Sequence, residues 1–348
     1  MTLSSSILTS LCCLLLSSNC FSALYSAEKS LADNAEAIAL SCSAKDLNEV
    51  MKGDCYDSAT RAYKRYLKEV ALMDDSFLTE SIQSEYVDKV VVATHSYTMS
   101  PQAAKPGVDY AFSNGASGLY VSLKGHRDDA IPLRKVKGKD WIADATLITQ
   151  ISQGFGEKII LIGFSLGGLL SIQQAKQFPK LVSGYVAMAP SFHGGVYLPH
   201  SEKSCFARIG FVRKIAENLS GHDLNDDFIL GGCAIFSVSK KISRNIQNKN
   251  FAQLRRNSRF ESQKSFARKQ LKDMKMPGVI IHSEADQVVS HQVSTVMGEI
   301  LKDVAGDNFL YKKYSSRGPR HWGDHTYFDH SLEVSGFDAI DFVFAKLR

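Results

Sequence analysis

The segment Gly163-Phe164-Ser165-Leu166-Gly167-Gly168 constrains this chain more than any other feature. It follows an unbroken apolar run, Ile159-Ile160-Leu161-Ile162, and precedes the amphipathic stretch Leu166–Gln177. The run reads as a strand buried on both faces, and the stretch after it as a helix. A serine between the two occupies a sharp turn across which side chains at positions 163 and 167 collide, hence glycine at both. The turn lifts the hydroxyl off the end of the sheet, and the N-terminus of the following helix aims backbone N–H groups at nearby negative charge. Ser165 is the candidate nucleophile, in the strand–turn–helix setting that a G-x-S-x-G motif requires.

The surrounding texture agrees. From Tyr86 onward, short apolar runs predict strands over Val87–Thr94, Gly118–Leu123, Lys158–Gly163, Gly184–Met188, Gly278–His282 and Phe309–Tyr314. Between them, spacing predicts helices over Trp141–Ser152, Leu166–Gln177, His291–Val304 and Phe337–Leu347. Such alternation argues for an α/β fold, a mostly parallel sheet flanked by helices. Ser191–Met276 interrupts it, too long for a plain connection and basic in its second half (Arg255, Arg256, Arg259, Lys264, Arg268, Lys269, Lys272), so it is expected to fold as an inserted helical lid. The basic run reads as a solvated helix face or as a surface for contact with a membrane. Ala27–Met73 has helical spacing and predicts two helices broken at Lys52-Gly53-Asp54.

The N-terminus carries an apolar stretch, Ile7–Leu16, followed by small and polar residues through Ser22. That length fits a signal-peptide core and is too short to span a bilayer, although no Lys or Arg precedes it. The expected division is a signal peptide over 1–22, a helical extension over 23–85, and the main domain over 86–348 with its lid at 191–276. Export to the periplasm or beyond follows. Removing the leader leaves Cys42, Cys55, Cys205 and Cys233, an even set for which nearness favours bridges Cys42–Cys55 and Cys205–Cys233. The formal net charge of +5 is not in itself a nucleic-acid footprint, and no nucleic-acid partner is expected. No clustered Cys/His spacing and no phosphate-cradling glycine loop with a lysine appears, so neither metal nor organic cofactor is expected.

A serine hydroxyl needs a base to take its proton, and the base needs a carboxylate to orient it. In a sheet of this kind the order along the chain is Ser, then Asp or Glu, then His, each at the end of a later strand. The strand Gly278–His282 ends in Ser283-Glu284-Ala285-Asp286, which makes Asp286 the candidate acid and Glu284 its rival. After Phe309–Tyr314 come His321 and His325. His321 is nearer the strand end and is the favoured base, His325 is the alternative, and His330 is more distant. Oxyanion donors are expected from the backbone N–H of Leu166 and from the loop after the first strand, at Tyr97 or its neighbour Ser96.

From about Tyr86 to its C-terminus the chain resembles the α/β-hydrolase superfamily, in particular its lysophospholipase, monoacylglycerol lipase and serine aminopeptidase S33-like branch. In that branch a His-Gly pair follows the first core strand, where His95-Ser96 stands. A Gly-His-Gly turn follows the next, where Gly125-His126-Arg127 stands, and an aromatic residue with an Asp opens the helix before the nucleophile strand, matched by Trp141 and Asp144. The resemblance implies hydrolysis of a small-molecule or lipid ester through Ser165, Asp286 and a histidine, with a lid where Ser191–Met276 falls. It leaves two rivals: an aminopeptidase or amidase on the same triad, with Asp226-Asp227 available to hold a substrate amine, and a non-catalytic binding module of the same fold. Apolar lid residues, Phe206, Phe211 and Phe236 among them, are candidates for an acyl-chain pocket.

Overall fold

The computed structural model describes residues 29–43, 47–71, 73, 80–97, 99–126, 136, 138–192, 271–286, 289, 291–315, 327–329, 332 and 334–348. Six parallel strands form one sheet: β1 (Val87–Thr94), β2 (Ser117–Val121), β3 (Gly156–Phe164), β4 (Val182–Met188), β5 (Gly278–Ser283) and β6 (Phe309–Tyr314). Their order is β2-β1-β3-β4-β5-β6, and every adjacent pair is parallel. The chain therefore moves one way from β1 to β2, then returns past β1 and continues in the other direction. That reversal places a topological switch point at the carboxyl ends of β1 and β3, where open α/β sheets bind their ligands.

The continuous apolar runs have the predicted cause. Successive residues of a strand face opposite sides, and both sides are covered. Val90, Val92, Leu161 and Ala187 join one buried cluster, with α4 (Gly138–Ile151), α5 (Leu166–Gln177) and α6 (His291–Ala305). Val91, Ala93, Ile160 and Ile162 join the other, with α3 (Lys105–Ser113) and α7 (Gly336–Lys346). Helix α3 has no counterpart in the sequence reading. It carries Pro106 in its first turn, where the missing N–H costs nothing because no intrahelical acceptor exists there.

The N-terminal region departs from expectation in one respect. A helix over 29–41, α1, is followed by α2 (Glu49–Arg65), which runs unbroken through Gly53 and continues as a π-helical segment, Tyr66–Ala71. Asn48 instead starts α2, capping it by accepting from Met51 N–H at 3.0 Å. Gly53 faces open space, where a helix tolerates it. The bridge Cys42–Cys55 forms as expected and ties α1 to α2, with 5.8 Å between the Cα atoms.

These helices do more than extend the chain. Tyr63 and Tyr66, one turn apart, present hydroxyls to β2, an edge strand. Tyr120 N–H donates to Tyr63 Oη and Ser122 N–H to Tyr66 Oη, each at 2.8 Å, and Tyr66 Oη–H returns a bond to Ser122 O at 3.2 Å. Among the described residues no strand pairs with this side of β2, and the side-chain oxygens blunt its edge. Leu31, Ala35, Tyr63 and Leu67 belong to the same apolar cluster as the sheet.

Candidate active site

Ser165 lies between β3 and α5 with φ 54° and ψ −112°, a left-handed conformation costly for any residue with a Cβ. The strain is held by close packing. A Cβ on Gly163 would come within 2.7 Å of Gly168 N, and one on Gly167 within 2.7 Å of the Thr94 carbonyl carbon and 2.9 Å of His95 O. The glycines let α5 lie directly against β3 and against the end of β1. Ser165 N–H donates to Met188 O at 2.8 Å, fixing the turn to β4.

A second hydroxyl adjoins Ser165. Ala189, after β4, also has positive φ (42°), and its N–H donates to Ile281 O at 2.7 Å. The turn it makes brings Ser191 back, so that Ser191 N–H donates to Ser165 O at 3.0 Å and the two hydroxyl oxygens lie 2.8 Å apart. Nothing in the sequence marked Ser191, since this contact depends on a strained alanine two residues earlier.

Leu166 opens α5, so its N–H is one of the donors a helix start leaves without an intrahelical acceptor, and it directly follows Ser165. The loop His95-Ser96-Tyr97 lies beside it, braced by a buried imidazole. Leu123 N–H donates to His95 Nε2 at 3.1 Å, which leaves the ring proton on Nδ1 to donate to Ser96 O at 2.8 Å. The positive-φ non-glycine residues among those described are Ser165 and Ala189, so Ser96 occupies ordinary backbone and its place in a His-Gly pattern introduces no strain. Trp141 and Asp144 acquire a physical role: Trp141 Nε1–H donates to Lys124 O at 2.9 Å, and Asp144 Oδ2 accepts from Lys124 N–H at 2.7 Å. They hold the turn, bent at Gly125 (φ 80°), that packs His126 edge-on to His95 and Tyr97 and tilted against Trp141, with ring centroids 5.0–5.8 Å apart.

Asp286 and Glu284 have different surroundings. The Asp286 side chain is fully buried; Oδ1 accepts from Val289 N–H at 2.8 Å, and Oδ2 lies 3.2 Å from His282 Nε2. Glu284 is exposed and bound to Lys313 at 2.7 Å, an ammonium that holds its carboxyl below the usual carboxylate range. An acid in a triad acts from a buried position, which favours Asp286.

His321, His325 and His330 lie outside the described residues, as do Cys205, Cys233, Asp226, Asp227, Phe206, Phe211 and Phe236. The residues bracketing 316–326 are placed. Glu284 N–H donates to Tyr314 O at 3.0 Å, which sets the end of β6 beside the loop that carries Asp286. On the far side, Tyr327 packs on Phe164, next to Ser165, with ring centroids 5.6 Å apart. Burial, with the Asp286 charge nearby, pushes the Tyr327 phenol well above the ordinary tyrosine range.

A family model described as serine aminopeptidase, S33, matches residues 87–315. Among solved structures, an esterase of Pyrococcus furiosus is similar at 17% identity, with 75% of this chain and 83% of that one covered and a TM-score of 0.49. A monoacylglycerol lipase of Paleococcus ferrophilus is similar at 16% identity, covering 75% and 96%, also with a TM-score of 0.49. Among curated proteins, none matches.

Proposed function

The chain belongs to the serine aminopeptidase S33 family of α/β-hydrolases, and on that premise we propose that it hydrolyses carboxylic esters through an acyl-enzyme formed on Ser165. The single observation that carries this reading is the strained, glycine-packed Ser165 turn at the sheet's switch point. In the reaction, Ser165 Oγ bonds to the ester carbonyl carbon while its proton passes to a histidine, His321 or His325. The carbonyl oxygen becomes an anion facing the N–H groups of Leu166 and Tyr97. Collapse expels the alcohol, which takes the proton from the histidine. A water then repeats the sequence, releasing the carboxylic acid and restoring Ser165. Asp286 fixes the imidazole and stabilises its charged form.

The family's description as an aminopeptidase supports a second reading, amide hydrolysis on the same residues. Recognition of a substrate ammonium needs a carboxylate near the nucleophile. Among the described residues the buried carboxylates are Asp144 and Asp286, each bound to a backbone N–H, whereas the pair available for an ammonium, Asp226-Asp227, lies outside the described residues. Turnover of a nitrophenyl acyl ester against an aminoacyl anilide separates the two. The account expects the ester to be preferred, and faster cleavage of the anilide overturns it. Export belongs to the same proposal, supported by the apolar stretch Ile7–Leu16 and the Cys42–Cys55 bridge.

A further inference from the structure

The reaction above makes no use of His282, a titratable side chain buried next to the acid. It lies on β5, four residues before Asp286, and neither side chain is exposed. Its ring nitrogens are engaged in opposite directions. Nε2 is 3.2 Å from Asp286 Oδ2, and Nδ1 is 2.6 Å from Ser294 Oγ, near the start of α6. An ionised carboxylate only accepts, so the ring proton sits on Nε2. In the neutral ring Nδ1 is then an acceptor, and the Ser294 hydroxyl donates to it. Ser294 thereby sets the tautomer that Asp286 requires.

Asp286 stands on a loop, and a carboxylate there turns about two side-chain torsions unless something stops it. Two anchors do. Val289 N–H holds Oδ1, and His282, rooted in the sheet and locked to α6, holds Oδ2. Each carboxylate oxygen has two acceptor sites, so neither anchor by itself prevents a bond to the base. We propose that His282 is the positioning residue of the catalytic acid, fixing Asp286 in the orientation in which it meets the base histidine. This rests on the reading of Asp286 as the triad acid.

The test is a double-mutant cycle on the full chain with a nitrophenyl acyl ester. His282→Leu removes the donor at similar volume, while His282→Gln keeps an N–H near the position of Nε2. The expected results are a fall in kcat of about 10–100-fold for His282→Leu with KM unchanged, and recovery of most of that loss in His282→Gln. In an Asp286→Ala background, His282→Leu is expected to cost less than about twofold more, because its partner is already gone. Ser294→Ala is expected to follow the same pattern with a smaller loss and supplies the cycle should His282→Leu fail to fold. An equal loss in both backgrounds, or a rise in KM alone, overturns the positioning role and leaves the triad standing. An Asp286→Ala enzyme with a tenth or more of wild-type kcat removes Asp286 from the triad, and this role of His282 with it.

Discussion

Gly167→Ala is the smallest change that strikes the turn carrying Ser165. The added methyl would lie 2.7 Å from the Thr94 carbonyl carbon and 2.9 Å from His95 O, both backbone atoms and both inside ordinary contact distance, and closer still to Thr94 O. No rotamer relieves a clash with backbone, so α5 must move away from β1, or β1 and the His95-Ser96-Tyr97 loop must yield. Overpacking of this kind typically costs ~1–3 kcal/mol. The activity loss should exceed the stability loss in importance, because the same movement separates Leu166 N–H from the Tyr97 loop, and a displacement of about 1 Å at a reacting centre costs on the order of a hundredfold. Steady-state hydrolysis of a nitrophenyl acyl ester and thermal unfolding, measured together, report both. The expected outcome is kcat/KM lowered ~100-fold or more in a protein that still unfolds cooperatively. A Gly167→Ala enzyme with wild-type turnover and melting temperature refutes the packing argument.

Tyr63→Phe withdraws the acceptor from Tyr120 N–H at the buried edge of β2; it should lower stability in denaturant titration by ~1–3 kcal/mol while kcat/KM is unchanged. Gly53→Ala, in an exposed stretch of an unbroken helix with open space beside it, should raise stability by ~0.5–1 kcal/mol, whereas a helix end at that glycine would make it destabilising. Asp286→Asn should lower kcat by about 10⁴-fold. Glu284→Gln breaks only an exposed pair with Lys313 and should leave kcat within about twofold, since exposed pairs contribute little; the reverse ranking would make Glu284 the acid.

The strands and the nucleophile turn were legible because they depend on local pattern. Apolar runs buried on both faces and glycines flanking a serine leave few alternatives, and the six strands appear within about two residues of their predicted ends. Legibility failed where distant partners decide. Gly53 reads as a breaker, but the Asn48 cap and the Cys42–Cys55 bridge carry α2 straight through it. Helix α3 drew no helical reading, although its Pro106 merely occupies a first turn. At the site, Trp141 and Asp144 were recognisable only as a pattern until their bonds to Lys124 supplied a reason. Ser191 and His282 carried no signal, because one is brought to Ser165 by a strained turn and the other acquires meaning from Asp286 and Ser294 together.

Labelling with a fluorophosphonate probe tests the central claim most directly, since it phosphonylates a serine only where a base and an oxyanion site make its oxygen nucleophilic. The account predicts one adduct per chain, mapped by peptide mass spectrometry to Ser165, and none in Ser165→Ala. Wild-type protein that is folded yet unlabelled, or an adduct that persists in Ser165→Ala, contradicts it.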